Sequence, residues 1–117
     1  RAILGENWIA RGDLNGDGRE DVALVLYYDT GGSGNFRQLM VVSTEGDELR
    51  VLGGVFAGDR VRIQKFGIDE SALVVQMVVH ATDDAMCCPT LQVQDRYTLQ
   101  GGKLVRSKRT ELGRVEP

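Results

Sequence analysis

The densest concentration of reactive side chains is Asp13-Leu14-Asn15-Gly16-Asp17-Gly18-Arg19-Glu20-Asp21. Counted from Asp13, oxygen-bearing side chains stand at positions 1, 3, 5 and 9, and Gly18 stands at position 6. A calcium ion takes six to eight hard oxygen ligands at about 2.3–2.6 Å. Alternate Asp and Asn side chains converge on one ion only where the backbone curls around it, and Gly18 permits that turn. The expected ligands are Asp13, Asn15 and Asp17 through side chains, Arg19 through its carbonyl, and Asp21 directly or through water. Three carboxylates this close repel one another until a cation is present. The expected cofactor is therefore a calcium ion, in a structural rather than a catalytic role. The alternative is an Asx- and Gly-rich turn that holds no metal. Arg11-Gly12-Asp13 also spells the integrin-recognition tripeptide, but Asp13 is committed to the loop.

The second unusual stretch is Asp83-Asp84-Ala85-Met86-Cys87-Cys88-Pro89-Thr90. Adjacent Cα atoms lie about 3.8 Å apart across a trans peptide, and disulfides prefer about 4.4–6.8 Å. Three states are open to Cys87 and Cys88: two thiols, a vicinal disulfide, or links to another chain. No CxxC spacing is present, which removes the usual zinc and thioredoxin patterns. His80 with Cys87 or Cys88 and Asp83 or Asp84 is the sole nucleophile–base set that can be assembled, and it is a weak one. His80, Met77, Met86 and the cysteines make an equally weak soft-metal set, because His80 and Met77 fall on opposite faces of one strand. The plainer reading is a hydrogen-bonded histidine at a strand end and core methionines.

The elements that must position these residues read as strands. Residues 5–10 form a first short strand, and residues 21–28 are apolar and rich in β-formers. Residues 29–35 hold three glycines and a serine and must turn. Residues 36–43 return, residues 45–47 turn again, and residues 49–56 continue the meander. A helix is possible within residues 45–57, although Gly53 and Gly54 oppose it. Val61 and Ile63 alternate with polar residues. Leu73, Val75, Met77 and Val79 share one face, with Val74, Val78 and His80 on the other, so this strand is expected to be central and buried on both sides. Residues 68–71 make the turn before it. Leu91, Val93 and Asp95 alternate with Gln92, Gln94 and Arg96, and Gly101-Gly102 signals a hairpin. The expected fold is all-β, with at most one short helix: six to eight antiparallel strands in a sheet, sandwich or partly open barrel, with the calcium loop between the first strands. The chain is expected to form one domain over residues 1–117, with residues 107–117 a loosely ordered tail.

Composition narrows function. The 117 residues are 42% hydrophobic and 26% charged with a net charge of -3, which places the chain among folded globular domains. No apolar run reaches the 18 residues of a membrane span. The 14 basic residues are mixed with 17 acidic ones. The one basic cluster, Lys103, Arg106, Lys108, Arg109 and Arg114, is terminal, so nucleic acid is not an expected partner. Gly31-Gly32-Ser33-Gly34 lacks the ending of a phosphate loop. Two cysteines are too few for a disulfide scaffold.

The acidic loop departs from an EF-hand, since position 12 is Leu24 inside a strand-like run. It resembles instead the shortened DxNxDGxxD loop of integrin-type FG-GAP repeats. More broadly, residues 12–18, Glu20-Asp21, Gly31–Gly34, Gly58-Asp59-Arg60-Val61, Met77–His80, Asp84–Thr90 and Tyr97–Leu104 resemble a group of bacterial secreted proteins and lipoproteins of uncharacterised function. The resemblance implies export to the periplasm, the cell envelope or the outside, and implies no particular activity. The expected function is a noncatalytic, calcium-stabilised structural or protein-interaction domain, with a protein or envelope component as partner. The alternatives are a cysteine- and histidine-dependent enzyme or redox protein, and a periplasmic protein that binds and inhibits an enzyme.

Overall fold

The computed structural model describes residues 2–16, 18–28, 36–43 and 50–116, with the side chains of residues 2–7, 27, 28 and 59 left aside. Eight strands follow in chain order: β1 (Ala2–Gly12), β2 (Asp21–Tyr28), β3 (Phe36–Ser43), β4 (Arg50–Asp59), β5 (Arg62–Asp69), β6 (Ala72–Val79), β7 (Leu91–Gln100) and β8 (Lys103–Arg114). They form two four-stranded sheets, β1-β2-β3-β4 and β5-β6-β7-β8, with every pairing antiparallel. The sheets do not close into a barrel; they pack face to face as a small sandwich, with β1 over β5 and β4 over β8. No described residue is helical. Residues 50–57, where a helix was conceivable, belong to β4, because Gly53 and Gly54 oppose a helix while Val51, Val55 and Phe56 favour a strand. The expected turns at residues 29–35 and 45–47 lie outside the described residues.

The period-two pattern builds the core. Ala23 and Val25 of β2, Leu39 and Val41 of β3, Leu73, Val75 and Met77 of β6 and Val93 of β7 are fully buried between the sheets. Each of the Val, Leu and Met side chains removed from water contributes about 1.5–3 kcal/mol. β6 is an inner strand, and Val78 on its other face is fully buried while Val74 is half-buried. The turn at Glu70-Ser71 and the Gly101-Gly102 turn join the hairpins of the second sheet. Where β4 crosses the β7–β8 hairpin, the backbones come close. A Cβ on Gly53 would sit 2.8 Å from Leu99 Cδ2 and 3.1 Å from the carbonyl carbon of Lys103.

The terminal basic cluster lies wholly on a strand, since Lys103, Arg106, Lys108, Arg109 and Arg114 all belong to β8. Residues 107–114 belong to β8 and pair with β7 through Leu91. The cause is Asp95, which falls on the core face of β7 in phase with Val93 and Tyr97 and is fully buried. Its register partner Arg109 donates from Nε to Oδ1 and from Nη2 to Oδ2, both at 2.7 Å. This two-bond fork is the geometry in which Arg best compensates a carboxylate removed from water. Tyr97 Oη donates to Oδ2 at 3.3 Å, and Arg106 stands 3.8 Å away. Burial, with the Asp95 charge next in importance, pushes the Tyr97 phenol well above its ordinary range. The fork in turn holds the Arg109 guanidinium protonated above its ordinary range.

Two outcomes follow from this packing. Arg109→Ala strands a buried carboxylate and is expected to lower the unfolding free energy by about 2–3 kcal/mol, a low figure for a buried pair because Arg109 is partly exposed. Arg109→Lys restores only part of that loss, since an ammonium cannot make the fork. A urea midpoint unchanged in Arg109→Ala would contradict this role. Gly53→Val forces β4 away from Leu99 and the Lys103 backbone and is expected to cost about 1–3 kcal/mol in the same assay.

Candidate functional site

The acidic loop spans the β1–β2 connection, and strand pairing fixes both of its ends. Gly12 closes β1 opposite Asp21, the first residue of β2. Between them the chain curls as the spacing requires: Gly16 and Gly18 take φ of +80° and +81°, a region that costs other residues strain. The Asp13 carboxylate shapes the curl. Its Oδ1 accepts from the Gly16 amide and its Oδ2 from the Gly18 amide, each at 2.8 Å. Leu14, which the spacing does not mark as important, is buried and joins the core cluster, so the loop is anchored from beneath. At the loop neck Arg11 and Glu20 form an exposed pair at 3.8 Å, worth little by itself.

Asp21 is the unusual member. Its side chain is 1% exposed, at the strand end where the loop closes. Oδ2 accepts from the Leu14 amide at 3.0 Å, but Oδ1 is buried with no hydrogen-bond partner. A buried carboxylate oxygen without a donor is costly, and a bound cation removes that cost. Asp13, Asn15 and the Arg19 carbonyl belong to the same short loop, and all offer hard oxygen atoms, the donor type of calcium rather than of a soft metal. Asp17 lies outside the described residues. Among the described residues no three His, Cys, Asp or Glu side chains are grouped for a metal.

The second stretch forms the β6–β7 connection, and here Cys87 and Cys88 are joined to each other in a vicinal disulfide with Cα atoms 3.7 Å apart. No free cysteine remains. His80 follows the end of β6, and its Nε2 donates to the Met86 carbonyl at 2.7 Å. That is the hydrogen-bonded strand-end histidine expected, and with both sulfurs bonded no thiolate stands ready for it to activate. Met77 is a core residue, whereas Met86 is exposed at the loop tip, so the soft-metal set does not assemble.

What organises this loop is Asp84. Its Oδ2 accepts from the amides of Ala81 and Thr90, each at 2.8 Å, and both carboxylate oxygens lie 2.8 Å from the Thr90 hydroxyl. Arg114, at the end of β8, donates from Nη2 to Asp84 at 3.0 Å and to Asp83 at 3.2 Å, and from Nε to Thr90 Oγ1 at 2.8 Å. The Val115 amide donates to the Thr90 carbonyl at 2.7 Å. The loop carrying the disulfide is thus tied to the ends of β6, β7 and β8 beside it. The readable signal was an Asp placed to cap its own turn; the partner 30 residues away carried none.

The Ala81 amide first, then the Thr90 hydroxyl and amide and the Arg114 charge, hold the Asp84 carboxyl below its ordinary value of 3.8, against the opposing effect of burial. A lowered folded-state value means that this group stabilises the fold above pH 3.8 and ceases to do so as pH falls through the folded value. The amide resonances of Ala81 and Thr90 are expected to stay fixed from neutral pH down to about pH 4.5 and to shift together only in stronger acid. Asp84→Asn should abolish that shared acid transition, and its persistence would contradict the assignment.

Among the described residues no helix is long and apolar enough to cross a membrane. No family model matches the chain, and neither does any curated protein or solved structure, so function has to be read from these two loops and the faces of the sandwich.

Proposed function

We propose that the protein is a noncatalytic, calcium-stabilised β-sandwich domain of an exported bacterial protein, serving a structural or protein-interaction role towards a protein or envelope component. The observation that carries the calcium reading is Asp21 Oδ1, a buried carboxylate oxygen with no donor, at the closing position of a loop whose spacing supplies further oxygens. Asp13, Asn15, Asp17, Arg19 through its carbonyl, and Asp21 would hold the ion. When bound, it supplies charge compensation and ties the end of β1 to the start of β2. The vicinal disulfide supports the export reading, since such bonds persist in oxidising compartments. It also bears on the alternative of a cysteine- and histidine-dependent activity, which would first need this bond reduced.

A loop with few fixed carboxylates suits the millimolar calcium outside cells, with affinity near 10⁻⁴ M. At 10 mM calcium such a site adds about 2.7 kcal/mol, which for a domain of this size raises the melting temperature by about 10 °C over the protein in EDTA. Asp21→Asn should remove most of the increment, and magnesium should not replace calcium. Identical melting in EDTA and calcium, with no metal in a native mass spectrum, would sink the proposal.

A further inference from the structure

The two outer faces of the sandwich differ in kind. That of the second sheet is polar and internally bonded. Gln76 and Gln92 both donate to Gln64, at 3.2 and 2.7 Å, and Arg96 donates to the Asp69 carbonyl at 2.9 Å. The outer face of the first sheet is largely apolar on β2, β3 and β4, with Ile9 of β1 beside them and Arg11 of β1 at its edge opposite Val22. Register places Val22, Val42 and Val51 in one row, Ile9, Leu24, Met40 and Gly54 in the next, and Leu26, Gln38 and Phe56 in a third. Ile9 is 46% exposed, Val51 61% and Phe56 59%. An antiparallel sheet that faced water would alternate apolar and polar residues, and this one is apolar on both sides. A contiguous apolar patch of this extent marks an interaction surface.

We propose that this face packs against the same face of a second copy of the chain, forming a twofold dimer. Three features favour a copy of itself over another occupant. The first is area. Four strands about 4.8 Å apart and about eight residues long present a footprint of about 500 Å². Two such faces bury about 1,000 Å² together, the lower bound for a specific interface. The second is charge. The protein carries -3 overall, yet on β2, β3 and β4 the rows between Val22 and Phe56 hold no ionisable side chain, and Arg11, opposite Val22 on the edge strand β1, is paired with Glu20, so the centre of the face meets its copy without like-charge contact. The third is shape. An isologous contact needs a surface that carries both protrusion and recess. Val51 and Phe56 project on either side of Gly54, which has no side chain, and the Phe56 ring is braced on Phe36 with centroids 5.8 Å apart. Packing the faces at the usual separation of about 10 Å extends the sandwich to four layers.

The test is sedimentation velocity on the intact chain from 1 to 300 µM, run in calcium and again in EDTA so that loss of the metal reading and loss of the dimer can be told apart. The expected result is a monomer–dimer equilibrium with a dissociation constant of about 1–100 µM, as befits an interface at the small end of the range. Val51→Lys and Phe56→Lys should each weaken it at least about tenfold while keeping a cooperative thermal melt. Ile9→Lys serves where either of those fails to fold. Lys108→Glu on β8 should leave the equilibrium unchanged. A monomer at every concentration, an open-ended series of larger species, or a dimer indifferent to the three face variants would each overturn the proposal.

Discussion

A four-stranded sheet with an apolar face is not stable alone in water, and everything in this protein hangs from the contact that resolves that problem. Val25, Leu39 and Val41 on one sheet meet Leu73, Val75, Met77 and Val93 on the other, and all are fully buried. Every strand connection within each sheet is a hairpin, so the two halves are built from sequence-local pairings and joined by one crossing near Arg60. Closely spaced glycines let the sheets approach where β4 crosses the β7–β8 turn. The loops that carry chemistry are placed by this contact: the acidic loop at the β1–β2 connection, and the disulfide loop beyond the ends of β6 and β7.

Two buried carboxylates mark where that core is not purely apolar, and the fold treats them differently. Asp95 receives two bonds from Arg109 and a third from Tyr97, all from its own and the adjacent strand. Its compensation is complete within the chain, which fits a structural role. Asp21 receives one amide and retains an oxygen with no donor. The same physical cost is met from within in one case and left open in the other, and this contrast separates a fold-holding acid from a candidate ligand.

Much of the architecture is legible in the residue alternation. Strand existence, the central place of β6 and the turn at residues 101–102 all follow from period-two patterning and turn chemistry, and the turn expected at residues 68–71 is narrower, since Ile68 and Asp69 belong to β5. The start of β8, Leu104 and Val105 after the Gly101-Gly102 turn, is legible in this way, but its continuation over residues 106–114 is not, because most of those residues are charged or polar. Its order comes from Asp95, fourteen positions upstream, and the clue was that Asp95 alternates in phase with Val93. A charge on an apolar face demands a partner, and the nearest strand supplies Arg109. The loop curl around Asp13 was readable from Gly16 and Gly18. Burial of Leu14 and Asp21 was not, since it depends on the second sheet closing over the first. The pairing state of Cys87 and Cys88 is a matter of redox environment as much as of spacing, and Arg114 reaching Asp84 is a tertiary event with no local signature.

The bond between Cys87 and Cys88 joins neighbours, so it encloses no length of chain. The usual gain from a disulfide is the reduced freedom of a long unfolded loop, and that gain grows with the enclosed length. Here it vanishes. The ring stiffens one peptide unit and leaves the unfolded ensemble as broad as before. Global stability should therefore be nearly blind to a reductant that cleaves it, and the cooperativity of this end of the molecule belongs to Asp84, Thr90 and Arg114. A covalent bond that can open without unfolding the domain leaves the local surface around Met86 and Pro89 free to change while the sandwich behind it stays the same.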